Sequence, residues 1–128
     1  MLLDTHVLVW AMLVPDRLSV QARKALTGST ERVVSAASLY EITYKARLGK
    51  WPEVAGLLKV DLDARLHADG FEVAAATGAI MERAGHFEWD HRDPFDRVIV
   101  ATSRQRGIAL VSKDATLDGA PGGVERVW

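Results

Sequence analysis

The stretch DPFDRVIVATSRQRGIALVSKD, residues 93–114, holds a helix start, a helix stop, a short apolar strand and an acid in one run. Asp93 stands before Pro94, and proline suits the first helical position because its missing N–H would have no partner there. The helix this predicts runs to Arg106 and ends at Gly107, and Ile108 to Ser112 then reads as a short strand. Asp114 follows that strand.

The rest of the chain repeats the unit. Met1 to Leu3 reads as a strand, Asp4 as a turn, and the residues through Trp10 to Leu13 as a helix. Pro15-Asp16 is a turn, and Ser19 caps a helix over Val20–Leu26 that Gly28 ends. Arg32 to Ala36 is a second strand. Ser38 and Glu41 have capping-box spacing, which predicts a helix from there to about Leu48. Glu53–Lys59 and Leu62–Asp69 read as two short helices, Phe71–Ala74 as a third strand, and Thr77–Ala84 as a helix. His86–Arg92 and Leu117–Gly123 read as loops around the quoted stretch, and Val124–Trp128 as the last strand. Strand followed by helix, repeated, predicts an α/β layered domain with a mostly parallel sheet. With no linker or internal repeat, residues 1–128 are expected to form a single domain.

Bulk properties narrow the function. The chain has 128 residues, 48% of them hydrophobic, enough for a real core and against disorder. It has no cysteine, which excludes disulfides, zinc–thiolate sites and cysteine nucleophiles. The apolar N-terminus carries Asp4 and no basic stretch, unlike a signal peptide, and no run is long enough to span a membrane. A cytoplasmic protein with no membrane contact is expected. A net charge of −1 excludes a strongly basic polyphosphate binder but not a nucleic-acid substrate, because clustered acids offset bases elsewhere.

Five acids border the predicted elements: Asp4, Glu41, Asp93, Asp96 and Asp114. Each has a plain structural role open to it. Asp4 would close a strand through an Asx turn. Glu41 would complete the capping box, and Asp93 would cap its helix. Asp114 would pair with Lys113. Asp96 is harder to dismiss, because it lies on the same helix face as Asp93, where like charges cost a few tenths of a kcal/mol. These roles do not explain why acids recur at the ends of successive βα units, which fold to one edge of a parallel sheet. Gathered carboxylates repel unless a cation holds them, and an all-oxygen set favours magnesium or manganese over zinc. His6 and His91 flank two of the acids. No serine–histidine–acid triad and no glycine-rich phosphate loop is present.

Leu2-Leu3-Asp4-Thr5-His6, Ser38-Leu39-Tyr40-Glu41-Ile42, His91-Arg92-Asp93-Pro94-Phe95-Asp96-Arg97 and Val111-Ser112-Lys113-Asp114 occur in that order. Together they resemble the PIN domain, and specifically the VapC-like ribonuclease toxins of type II toxin–antitoxin systems. The resemblance covers essentially the whole chain. It implies a three-layer α/β/α sandwich around a parallel sheet, and an endoribonuclease dependent on Mg2+ or Mn2+. Asp4, Glu41, Asp96 and Asp114 match the family's four acids and are the expected metal ligands. Asp93 matches a further acid, and Thr5 and Ser112 match supporting polar positions. Phe87-Glu88-Trp89-Asp90 departs from the usual Leu-Pro, and Lys113 stands where a small or polar residue is more usual.

The resemblance also implies a VapB-like antitoxin and a homodimer. By helical spacing Trp10, Leu13, Tyr44, Leu48, Trp51 and Leu57 are candidate groove residues, with ordinary core as the competing role. Lys45, Arg92, Arg97 and Lys113 stand close enough in sequence to the acids to meet flanking phosphates, or serve only as solvated surface. A dehalogenase-like phosphatase would need a second acid where His6 stands, and a receiver domain lacks its acidic pair here. A non-catalytic PIN-fold module binding RNA or protein is the rival of another class.

Overall fold

A computed structural model describes all 128 residues. Five strands form one parallel sheet: β1 (Leu2–Leu3), β2 (Arg32–Ser35), β3 (Phe71–Ala74), β4 (Leu110–Val111) and β5 (Arg126–Val127), in the order β3-β2-β1-β4-β5. The helices are α1 (Thr5–Leu13), α2 (Val20–Gly28), α3 (Ala36–Arg47), α4 (Leu62–Ala68), α5 (Gly78–His86) and α6 (Pro94–Arg106).

Alternation along the strands builds the layers, since successive side chains point to opposite faces. Leu3, Val34 and Val111 join a core with Val7 and Leu8 of α1, Ala22 of α2, Ile42 of α3 and Leu66 of α4. Their neighbours Leu2, Val33 and Leu110 face the other way, onto Ile99 and Val100 of α6 and Leu117. Val98 and Ala101 of α6 pack in turn on Ile80 and Ala84 of α5. Both faces are covered, so the central strands are apolar on both sides, as parallel sheets require. The three-layer α/β/α architecture is as expected. No helix is long and apolar enough to cross a membrane.

Three sequence expectations are corrected. Helix α3 begins two residues before Ser38: Ser35 is its N-cap and accepts from the amide of Ala37 at 3.2 Å. Ser38 and Glu41 therefore lie inside the helix, and no capping box forms. The second strand accordingly ends at Ser35. The segment Pro52–Lys59 is a 3-10 helix, and a second one, Ala115–Gly119, runs into the expected loop at Leu117. At α6 the expectation holds in full. Asp93 accepts from the amides of Phe95 (2.8 Å) and Asp96 (3.4 Å), and Gly107 closes the helix at φ 63°, where a Cβ would be strained.

Candidate active site

The chain leaves β1 for β2 and β3 on one side, and β4 and β5 lie on the other. The boundary between β1 and β4 is the topological switch point, where open α/β sheets leave a crevice at the carboxyl ends of the strands. Asp4 follows β1 directly and Asp114 follows β4 by three residues. The backbone joins the two ends, with the Asp4 amide donating to the Val111 carbonyl at 3.0 Å.

Asp4 is only 6% exposed. It stands at the N-cap of α1 with no full side-chain capping hydrogen bond, and the His6 amide close by favours its charged form. Its Oδ2 accepts from the Ser112 hydroxyl at 2.6 Å. Burial pushes its pKa up; Ser112 and His6 pull against that, and Glu41 adds repulsion. Ser112 also accepts from the Asp114 amide at 3.0 Å, so one buried hydroxyl ties two acids together.

Asp114 does not pair with Lys113. Its Oδ1 accepts from the amide (2.8 Å) and hydroxyl (2.7 Å) of Thr116. Burial works to raise its pKa, but those bonds, with His91 and Arg126 nearby, hold it below the ordinary carboxylate value. The Thr116 hydroxyl also lies 3.5 Å from Nδ1 of His91, whose Nε2 meets Oδ2 of Asp96 at 2.6 Å. Asp4, Ser112, Asp114, Thr116, His91 and Asp96 thus form one continuous chain of polar contacts.

Asp96 is pushed up to about pKa 6. Burial is the main cause; the His91 contact opposes it, and the charges of Asp4 and Asp93 reinforce it. Glu41, buried in α3, is held by Lys45 of the same helix at 2.5 Å. Burial disfavours the Lys45 ammonium, but Glu41, Asp93 and Asp96 outweigh it and raise its pKa. The structure therefore brings Asp4, Glu41, Asp93 and Asp96 within electrostatic reach of one another and links Asp114 to them by hydrogen bonds.

No three of these side chains converge on one point at ligand distance; each carboxylate is held by its own neighbour. The donor chemistry nevertheless suits a hard cation. Asp4 is buried beside two other acids, and its side chain is held by a neutral hydroxyl. Thr5 and Ser38 brace the floor, hydroxyl to hydroxyl at 3.0 Å, and so fix α1 against α3.

Arg97 is a correction. Its guanidinium does not face a substrate but donates to the carbonyls of Ala84 (3.0 Å), Gly85 (3.4 Å), Phe87 (2.5 Å), Trp89 (3.0 Å) and His91 (3.1 Å). It closes the end of α5 and fixes the loop that carries His91 to Asp96. The departure at Phe87–Asp90 supplies Trp89, which stacks on His91 at 4.5 Å. Lys113 lies over the Trp10 ring at 5.9 Å, beside a cleft of about 370 Å³ lined by Asp4, His6, Trp10, Lys113, Asp114 and Ala115. Of the groove candidates, Leu57 is core, Leu13, Tyr44 and Leu48 are exposed, and Trp10 and Trp51 are half-buried around His6. Thr116 and the Glu41–Lys45 pair escaped the sequence reading; the i,i+4 spacing was a usable signal for the pair, and nothing local marks Thr116.

A parallel three-layer α/β domain with an acidic crevice at its switch point defines a class. Residues 1–122 match the PIN domain model, and the chain belongs to that family. It is 30% identical over 118 residues to Ribonuclease VapC22 of Mycobacterium tuberculosis, covering 91% of this chain and 88% of that protein. Two solved structures share the fold at lower identity. VapBC2 of Rickettsia felis, bound to a DNA fragment from its promoter, superposes with a TM-score of 0.69 at 15% identity, over 99% of this chain and 98% of the other. VapC20 of Mycobacterium tuberculosis, a sarcin–ricin loop cleaving toxin, gives 0.66 at 18%, over 97% and 96%.

Proposed function

We propose that this protein is an endoribonuclease that hydrolyses RNA phosphodiester bonds with Mg2+ or Mn2+, and that it is the toxin of a toxin–antitoxin pair. The carrying observation is Asp4: a buried carboxylate at the switch point, held by Ser112, with Glu41 and Asp96 close enough to repel it. Such an arrangement is costly unless it serves a cation. The name of the ribonuclease relative supports the reaction class.

Asp4, Asp96 and Asp114 would hold the ion, with Glu41 completing the shell or orienting water and Asp93 setting the start of α6. A bound divalent ion supplies a polarised phosphate oxygen and an activated water. Ser112 and Thr116 keep Asp4 and Asp114 in place. His91, held on its other side by Trp89, orients Asp96. Lys113, which lines the cleft, and Arg92, next to His91 in the chain, are exposed and would meet phosphates flanking the cut. In-line attack by water would leave a 5′-phosphate and a 3′-hydroxyl.

The partner is a VapB-like antitoxin. Leu13, Tyr44 and Leu48 are exposed apolar side chains and Trp51 a half-buried one, and the antitoxin would cover them. A single domain, a homodimer and a cytoplasmic setting complete the reading; a monomer at micromolar concentration in sedimentation would remove the dimer from it. The test is cleavage of RNA with magnesium, with and without chelator, by wild type and Asp4→Asn. Cleavage by the wild type alone, abolished by chelator, is expected. Equal activity in Asp4→Asn would sink the site assignment, and no cleavage by either would favour the non-catalytic binding module.

A further inference from the structure

We propose that Lys45 is a built-in cation of the acidic site: it neutralises Glu41 in place of a second metal ion, so that a single divalent cation binds, on the side of Asp4, Asp96 and Asp114. The inference rests on the metal-dependent reading above and fixes its stoichiometry.

The contact is short and enclosed. Lys45 Nζ lies 2.5 Å from Glu41 Oε1, with the Glu41 side chain 5% exposed and that of Lys45 33%. The residues are one turn apart on α3, where Glu followed by Lys four residues later is the favourable order. The ammonium also lies 5.9 Å from the Trp51 ring, and Trp51 packs on His6 at 4.7 Å, two residues beyond Asp4. On the other side, Tyr40 packs against Phe95 at 5.9 Å, bringing α3 against the first turn of α6 and its acids. Asp93 and Asp96 accordingly add to the attraction that keeps Lys45 charged.

The two halves of the site differ. Glu41 already holds a full positive charge at hydrogen-bonding distance. Asp4 and Asp114 hold only hydroxyl and amide donors, and Asp96 an imidazole. A second divalent ion on Glu41 would have to displace the ammonium or lie beside it, and two cations at that distance repel. No lysine or arginine holds Asp4, Asp96 or Asp114 at hydrogen-bonding distance, so an ion on that half meets the Lys45 charge only at longer range.

The test is titration of the metal-free full chain with Mn2+, read by calorimetry and by the electron paramagnetic resonance signal of free Mn2+. One ion per chain is expected for the wild type and for Lys45→Arg, which keeps the charge. Lys45→Met, and Lys45→Gln as a second variant, should bind two, and adding Glu41→Gln to Lys45→Met should restore one. Two ions in the wild type, or unchanged stoichiometry and affinity in both charge-removing variants, would overturn the inference while leaving a metal-dependent nuclease intact. No ion in the wild type would instead remove the metal reading itself.

Discussion

The two edges of this sheet handle charge in opposite ways. Where the strands begin, charges are matched. Arg32 donates to the Asp69 carbonyl at 3.1 Å and lies over the Phe71 ring, Arg65 pairs with Asp69 at 2.7 Å, and Arg106 with Glu72. Arg106 holds the Glu72 carboxyl below its usual range. Where the strands end, burial pushes Asp4 and Asp96 up and neighbouring acids add to it, although Glu41 is paired with Lys45 and Thr116 helps hold Asp114 down. The larger cavity, about 760 Å³, lies at the matched edge among Met12, Leu18, Leu26 and Phe71, with its one acid, Asp69, already paired. Size and charge therefore point to different edges. Charge that neighbouring groups repel yet hold in place marks the edge kept for chemistry.

The contrast can be broken most decisively by activity. Asp96→Asn at the acidic edge should lower RNA cleavage on the order of 100-fold or more, by removing a group that would hold the ion. Asp69→Asn at the matched edge should leave cleavage unaltered, and an equal loss in both would erase the distinction. The next effect concerns the frame. Arg97→Gln removes a guanidinium that closes five carbonyls. A loss of about 2–3 kcal/mol in urea unfolding is expected, with faster amide exchange over residues 86–92. Unchanged exchange there would show that the loop is held by other contacts. A smaller effect sharpens the comparison within the site. Ser112→Ala frees Asp4 and the Asp114 amide together, and Mn2+ affinity should fall roughly 10-fold. Unaltered affinity would mean that the hydroxyl only fills space.

Most of the fold was legible because its punctuation is local: Gly28, Gly49, Gly70 and Gly107 end elements, and Asp93-Pro94 opens one. The start of α3 was misread because Ser35 and Ser38 are both good caps three residues apart, and only the sheet shows that Ser35 ends β2. The order of the acids along the chain was legible. Their wiring was not. Ser112 reaches Asp4 across 108 residues only because β4 lies beside β1, and no local pattern states that adjacency. Arg97 was misjudged for a related reason: a sequence displays its charge, whereas five inward-facing carbonyls appear only once the loop has folded back.

The central claim is that the acidic edge is held ready for a cation at a cost in stability. Asp96 carries it most openly, because its pKa rises from the ordinary 3.8 to about 6 in the folded chain. A carboxylate shifted upward binds its proton more tightly when folded, so stability present below pH 3.8 is lost as pH rises towards 6. The direct measurement is the melting temperature of wild type and Asp96→Asn at pH 7.5, in chelator and in Mn2+. In chelator the variant, which cannot ionise, should be the more stable by about 1–2 kcal/mol, allowing for the water that reaches this partly exposed group. With Mn2+ the wild type should rise and the variant should not. A variant that melts below the wild type in chelator and gains as much from Mn2+ would contradict the account.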